Sequence, residues 1–107
     1  MSTRKASFAP HAGQSTRVLL VGSLPGDRSL AARQYYAHPS NRFWHLVAAV
    51  TGIDLVRQDY PARLASLDRA GIGLWDVIGS AQRRGSGDAA IRAATPTALA
   101  SLVLSLP

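Results

Sequence analysis

The sequence predicts an α/β fold in which helices cover a parallel sheet. Two apolar segments with strand character, residues 17–23 and 72–78, are separated by segments with helical periodicity. The order strand, helices, strand, helix arises when helices form the crossover between parallel strands. We therefore expect the two strands to be parallel neighbours in one sheet.

The first strand is a run of valine and leucine that ends in the loop Gly22-Ser23-Leu24-Pro25-Gly26. A continuous apolar run is typical of a strand buried on both faces. Loops at the carboxyl ends of parallel strands often bind ligands, and bare amides can donate to a carbonyl or a phosphate. A plain strand-ending turn would explain the same residues equally well.

Two longer helices are predicted between the strands. Residues 42–51 and 60–70 carry apolar side chains at helical spacing, and each segment is followed by a glycine, Gly52 or Gly71. A short helix is expected over residues 29–33. These segments supply the crossover between the two strands.

The part of the chain after the second strand is predicted to be a loop and two further helices. Residues 79–87 form the loop, and a short helix is expected over 88–93. Thr95 is the expected N-cap of the last helix, with Pro96 at its first position. Two parallel strands cannot bury both of their faces, so we expect the chain to be cut short relative to its fold.

Length and composition predict one small domain. Residues 1–16 are polar and rich in small side chains, which indicates a disordered leader before a folded domain over 17–107. No stretch approaches the roughly 20 apolar residues of a membrane span. We expect a cytoplasmic monomer with no membrane partner.

The chain has no cysteine, and of its three histidines His11 lies in the expected leader. Disulfides, thiolate metal sites and a cysteine nucleophile are therefore excluded, and neither a metal nor a cofactor is predicted. The only lysine, Lys5, also lies in the expected leader, so no lysine is placed for Schiff-base chemistry.

The formal net charge is +6, and nearly all of the positive charge comes from arginine. Such a surface suits phosphate-bearing partners, although a GC-rich genome would produce the same arginine excess. Arg83, Arg84 and Ser86 lie in the predicted loop and are candidate contacts to a phosphate group. An ordinary solvated turn, with Ser86 capping the next helix, is the alternative.

Four further side chains are candidates for chemistry. Tyr36 offers a face on which a base could stack, or it packs in the core. Asn41 is either the N-cap of the helix that follows or a carboxamide that binds a base edge. His38 before Pro39 suits a structural hydrogen bond, and Asp76 suits a general base or a bond to a neighbouring loop.

The order of these motifs resembles the uracil-DNA glycosylase superfamily from residue 18 to the end of the chain. The matching segments are Val21-Gly22-Ser23-Leu24-Pro25-Gly26, Tyr36-Ala37-His38-Pro39-Ser40-Asn41-Arg42-Phe43-Trp44 and Gly73-Leu74-Trp75-Asp76-Val77. The middle segment is shared with the mismatch-specific branch. Gln34-Tyr35-Tyr36 and the last segment are more similar to the hypoxanthine-DNA glycosylase (DNA-deoxyinosine glycosylase) branch.

This resemblance implies a three-layer α/β/α fold and a DNA glycosylase of base excision repair. It implies that the loop from Gly22 to Gly26 cradles a base extruded from DNA, that Tyr36 stacks on it, and that His38 lies beside it. With DNA as the substrate, the candidate phosphate contacts Arg83, Arg84 and Ser86 become candidate contacts to the DNA backbone. The mismatch-specific branch has a catalytic asparagine where this chain has Leu24. The hypoxanthine branch implies that Asn41 is catalytic instead.

The expected reaction is hydrolysis of the N-glycosidic bond of a deaminated base, hypoxanthine or uracil, without strand cleavage. The superfamily's C-terminal Ser/Pro-rich, DNA-wedging motif has no counterpart in this sequence. The alternatives are therefore an inactive nucleic-acid-binding remnant or an unrelated α/β nucleotide-binding domain. A third strand followed by such a loop in a longer protein would distinguish a fragment from a remnant.

Overall fold

The computed structural model describes residues 4–106, and the predictions for residues 1–3 and 107 lie outside this range. The described residues form five strands, four α-helices and one short 3-10 helix. In chain order the elements are β1 (Arg4–Ala6), β2 (Val18–Gly22), α1 (Asp27–Ala32), α2 (Phe43–Thr51), α3 (Tyr60–Ala70), β3 (Ile72–Asp76), β4 (Ile78–Gln82), a 3-10 helix (Asp88–Ala90), β5 (Arg92–Pro96) and α4 (Leu99–Ser105).

The predicted parallel strand pair is confirmed. β2 and β3 pair in parallel, with a register that runs from Val18 opposite Ile72 to Gly22 opposite Asp76. The crossover consists of α1, α2 and α3, and both longer helices end, as predicted, at a left-handed glycine. The carboxyl ends of both strands therefore lie at the same edge of the sheet.

The prediction of a single central parallel sheet is wrong. β1, β4 and β5 form a second, antiparallel sheet in which β4 is central. Residues 79–82, predicted to lie in a loop, belong to β4. Thr95 and Pro96, predicted to start a helix, end β5, and α4 begins at Leu99. β4 consists mostly of small and polar residues with low strand propensity, and its pairing with the sequence-distant strands β1 and β5 outweighs that propensity.

The prediction of a disordered leader is also wrong for the residues that the structure describes. β1 pairs with β4, and His11 exchanges backbone hydrogen bonds of 2.9 Å with Leu74. The backbone carbonyls of Phe8 and Ala9 accept hydrogen bonds from Trp75 Nε1 and the Tyr35 hydroxyl. Polar composition favoured disorder, but backbone pairing and these aromatic donors anchor the segment.

The core lies where α2 and α3 pack beside the parallel strands. Leu55, Leu67 and Leu74 are completely buried, and Trp44 and Val47 of α2 pack with them. By contrast, α4 has no buried residue, and Val18 and Val21 of β2 remain exposed. The apolar side chains of α4 are thus only partly covered. None of the helices within residues 4–106 has the length and hydropathy to span a membrane.

Candidate functional site

A cavity of about 600 Å³ lies at the edge of the parallel sheet where β2 and β3 end. It brings together all the residues predicted to bind a base or act on it, together with several that the sequence did not single out. The lining residues are Gly22, Ser23, Leu24, Pro25, Gly26, Arg28, Ser29, Tyr35, Tyr36, His38, Ser40, Asn41, Asp76, Ser86 and Asp88.

The loop that follows β2 forms one wall, and every carbonyl from Gly22 to Gly26 is hydrogen-bonded within the protein. The Gly22 and Ser23 carbonyls accept from the amides of Val77 and Ile78 at 2.9 and 3.0 Å. The Leu24 and Pro25 carbonyls accept from the Arg83 guanidinium, and the Gly26 carbonyl accepts from the amide of Leu30. The amides of Ser23, Leu24 and Gly26 have no such partner among the described residues, so they remain available to donate to a bound group.

Asp76 forms the floor of the cavity opposite Gly22. Its side chain is nearly buried, and Oδ2 accepts a 2.7 Å hydrogen bond from the Ser7 hydroxyl. Burial raises the pKa of Asp76, and the bond from Ser7 acts in the opposite direction. A Cβ at Gly22 would lie 2.7 Å from Asp76 Oδ1, so a larger residue at this strand end would force the Asp76 carboxylate to move.

Tyr36 lines the cavity with an aromatic ring whose orientation is fixed from behind. Phe43 stacks against it at 3.6 Å between ring centroids and 8° between planes, and Trp44 contacts it edge-on. The backbone of Tyr36 is left-handed, with φ of 57°. Burial, with a smaller contribution from Asp76, raises the pKa of Tyr36 to about 12, so its hydroxyl stays a donor at neutral pH. The neighbouring Tyr35 is buried in the core and also borders the cavity.

The turn from His38 to Asn41 forms the opposite rim. His38 Nδ1 lies 3.1 Å from the Ser40 amide and 2.8 Å from the Ser40 hydroxyl. Because Nδ1 accepts from the amide, the neutral ring carries its proton on Nε2. Asn41 is not the N-cap predicted for α2, because that position is occupied by Arg42 and no side chain among residues 4–106 caps the helix. Asn41 Oδ1 instead accepts from the Phe43 amide at 2.8 Å, as in an Asx turn, which leaves its Nδ2 group as the donor it can offer.

The prediction that Arg83 contacts a DNA backbone is wrong. Its side chain is 1% exposed and donates three hydrogen bonds to backbone carbonyls, those of Leu24, Pro25 and Gly85. Continuing the in-and-out alternation of β4 places Arg83 on the same face as buried Ala81. The neighbouring Arg84 is exposed and stays a predicted DNA contact. The alternation of a strand could have separated the two arginines, but the strand itself was not predicted.

Ser86 and Asp88 also tie this segment to the loop. Ser86 Oγ accepts from the Asp27 amide at 2.9 Å, so it does not cap the helix predicted after it. The Ser23 hydroxyl donates to Asp88 Oδ1 at 2.7 Å. Lys5, expected in a disordered leader, pairs with Asp27 at 2.5 Å and is not among the lining residues. Within residues 4–106 no group of three or more potential metal ligands occurs.

Comparison with known proteins places these features in a family. The model of the family described as "Uracil DNA glycosylase superfamily" matches residues 10–105. A protein named hypoxanthine DNA glycosylase from Methanosarcina barkeri is 44% identical over 89 residues, 83% of this chain and 56% of its own length. One of the same name from Methanosarcina acetivorans is 40% identical over 81% of this chain and 55% of its own length. The chain thus spans about half the length of these curated relatives.

A solved structure is similar over almost the whole chain. It is a solution NMR structure of a Methanosarcina acetivorans protein provisionally described as a uracil DNA glycosylase. The two share 35% sequence identity with a TM-score of 0.87, and the match covers 98% of this chain and 65% of that one. The α/β fold described above is therefore that of a known structure.

Proposed function

Because the chain belongs to the uracil DNA glycosylase superfamily, we propose that its cavity receives a deaminated base extruded from DNA and that the protein hydrolyses the N-glycosidic bond. The observation that carries this proposal is the loop from Gly22 to Gly26, in which every carbonyl accepts a hydrogen bond from the protein. The loop residues with available amides line a cavity together with the aromatic ring of Tyr36 and the carboxamide of Asn41. Membership of this superfamily removes the alternative of an unrelated nucleotide-binding domain.

The amide-lined wall suits the charge that develops in the reaction. Breaking an N-glycosidic bond leaves negative charge on the base and positive charge on the sugar. Fixed amides stabilise such an anion without reorganising, as donors in an oxyanion hole do. We assign this role to the amides of Ser23, Leu24 and Gly26.

The remaining predicted residues act on the face and edge of the base. Tyr36 stacks on one face, an interaction worth about 1–3 kcal/mol per base. Phe43 stacks on the other face of the Tyr36 ring, so only one face of that ring is available to a base. Asn41 Nδ2 donates to the base edge or orients the attacking water, and His38 Nε2 is a second donor at the rim.

Water is the proposed nucleophile. The only lysine pairs with Asp27 and is not among the cavity-lining residues, so it is not placed to form a Schiff base with the sugar. The expected product is therefore an abasic site with an intact strand. The proposed partner is DNA that contains deaminated bases, bound by a monomer whose net charge of +6 favours the phosphate backbone.

Hypoxanthine is the proposed base. The two curated relatives named above are called hypoxanthine DNA glycosylases, and this chain has Leu24 where the mismatch-specific branch has asparagine. A leucine side chain neither donates nor accepts a hydrogen bond and cannot orient water. The Nδ2 group of Asn41 offers a donor that can match an acceptor on the ring edge of hypoxanthine.

The test is single-turnover excision from single- and double-stranded DNA carrying hypoxanthine, uracil or xanthine. We expect faster release of hypoxanthine than of uracil from a G·U mismatch. Leu24→Asn should raise uracil release more than hypoxanthine release. A preference for uracil that ignores Leu24→Asn would contradict the choice of base, and DNA binding without any excision would indicate the inactive remnant.

A further inference from the structure

Arg83 is the largest side chain that the fold buries completely, and it lies behind the base-binding loop rather than in the cavity. We propose that Arg83 is a positioning residue that holds this loop in the one conformation in which its amides face the cavity. The proposal rests on the proposed function for its importance in excision, but its structural content can be tested without DNA.

The geometry of the peptide group explains how an arginine behind the loop controls amides in front of it. In a trans peptide the carbonyl of one residue and the amide of the next point in opposite directions, and the chain has no cis peptide among its described residues. By holding the Pro25 carbonyl from behind, Arg83 turns the Gly26 amide to the opposite side of the loop, where Gly26 lines the cavity.

The Leu24 carbonyl is the more critical contact. The next residue is Pro25, which has no amide hydrogen, so this peptide can offer the cavity only an oxygen. The 3.3 Å bond from Arg83 Nη1 keeps that oxygen turned away. Without the bond, rotation of this peptide would place an acceptor beside a base that becomes negatively charged.

The charge of Arg83 strengthens the same arrangement. No carboxylate pairs with it among residues 4–106, so carbonyl oxygens alone solvate a buried cation. A cation behind the carbonyls polarises the loop peptides in the direction that makes their amides better donors. The hydrogen bonds of Ser86 to the Asp27 amide and of Asp88 to the Ser23 hydroxyl hold the two flanks of the loop, and Arg83 holds its centre.

The test compares Arg83→Met and Arg83→Lys with two controls, Arg84→Met and Arg57→Met. Arg57 is an exposed arginine between α2 and α3 that does not line the cavity. In each folded variant, amide hydrogen exchange and NMR shifts of Ser23, Leu24 and Gly26 are measured without DNA. Excision of hypoxanthine and the salt dependence of DNA binding are measured separately. Lysine keeps the charge but cannot reach both carbonyls as the guanidinium fork does.

For both Arg83 variants we expect perturbed loop amides, excision reduced by about 100-fold and an unchanged salt slope. Arg84→Met should instead lower the salt slope by about 0.9 with the loop amides unchanged. Arg57→Met should change none of these readouts.

A reduced salt slope with undisturbed loop amides in the Arg83 variants would make Arg83 a phosphate ligand and overturn the proposal. Undisturbed loop amides together with an unchanged salt slope of DNA binding in the Arg83 variants would overturn the proposal as well. If neither Arg83 variant folds, Arg83 is a general requirement of the fold, and the specific positioning role is refuted. If the unaltered chain excises no base while the loop amides still depend on Arg83, the proposed function fails and the positioning role stands.

Discussion

Asn41 combines two roles that a single set of substitutions can separate. Its Oδ1 accepts a 2.8 Å hydrogen bond from the Phe43 amide at the start of α2, and its side chain also lines the cavity. Asn41→Ala removes both this turn hydrogen bond and the carboxamide. Asn41→Ser keeps an oxygen that can accept from the Phe43 amide but removes the Nδ2 donor, so it serves as the matched control.

The expected magnitudes differ enough to distinguish the roles. Loss of the hydrogen bond to the Phe43 amide costs about 1 kcal/mol of stability, which lowers the Tm of a chain this small by about 4–8 °C. Loss of a donor that acts in the transition state lowers the rate by about 100- to 1000-fold. Asn41→Ala should therefore lose stability and excision, and Asn41→Ser should lose excision with its stability almost unchanged.

The assay is single-turnover release of hypoxanthine at a temperature at which every variant remains folded, alongside thermal unfolding by circular dichroism. An Asn41→Ser protein that retains full excision would refute the catalytic role. Asn41 would then be a turn residue that stabilises the start of α2 and borders the cavity.

The remaining predictions concern the fold and the floor of the cavity. Gly22→Ala should cost about 1–3 kcal/mol because its Cβ would lie 2.7 Å from Asp76 Oδ1, whereas Gly13→Ala, with open space around it, should be neutral in chemical denaturation. Leu67→Ala should cost about 2–5 kcal/mol because Leu67 is completely buried, and Leu104→Ala, at an exposed position, should stay within about 0.5 kcal/mol. The raised pKa of Asp76 means that the folded state holds this proton more tightly than the unfolded state, so stability falls as pH rises from 3.8 through the raised pKa. Asp76→Asn should therefore gain stability relative to the unaltered chain over that window in denaturation curves, and a constant difference at all pH values would contradict the buried carboxylate.

The sequence predicted those elements whose signal is local. The helices ending at Gly52 and Gly71 and the parallel pair β2–β3 follow from apolar periodicity and glycine terminators, and the structure confirms them. The loop after β2 was placed at the correct sheet edge because parallel strands share that edge.

The antiparallel sheet could not be predicted because its strands lack a local signal. β1 has only three residues, and β4 consists mostly of small and polar side chains that are half-buried by partners from both ends of the chain. Missing β4 led directly to the wrong environment for Arg83, since a loop arginine is expected to be solvated. Asp76 was recognised as a candidate, but its contact with Ser7 depends on a segment expected to be disordered.

The central claim is that the cavity beside the loop from Gly22 to Gly26 is a hypoxanthine pocket, and the most direct measurement is a titration of the 15N-labelled chain with free hypoxanthine. The account predicts saturable amide shifts concentrated at Ser23, Leu24 and Gly26 and at the side-chain amide of Asn41, with cytosine producing much smaller shifts. Absence of saturable shifts, or shifts that map to residues outside this cavity, would contradict it.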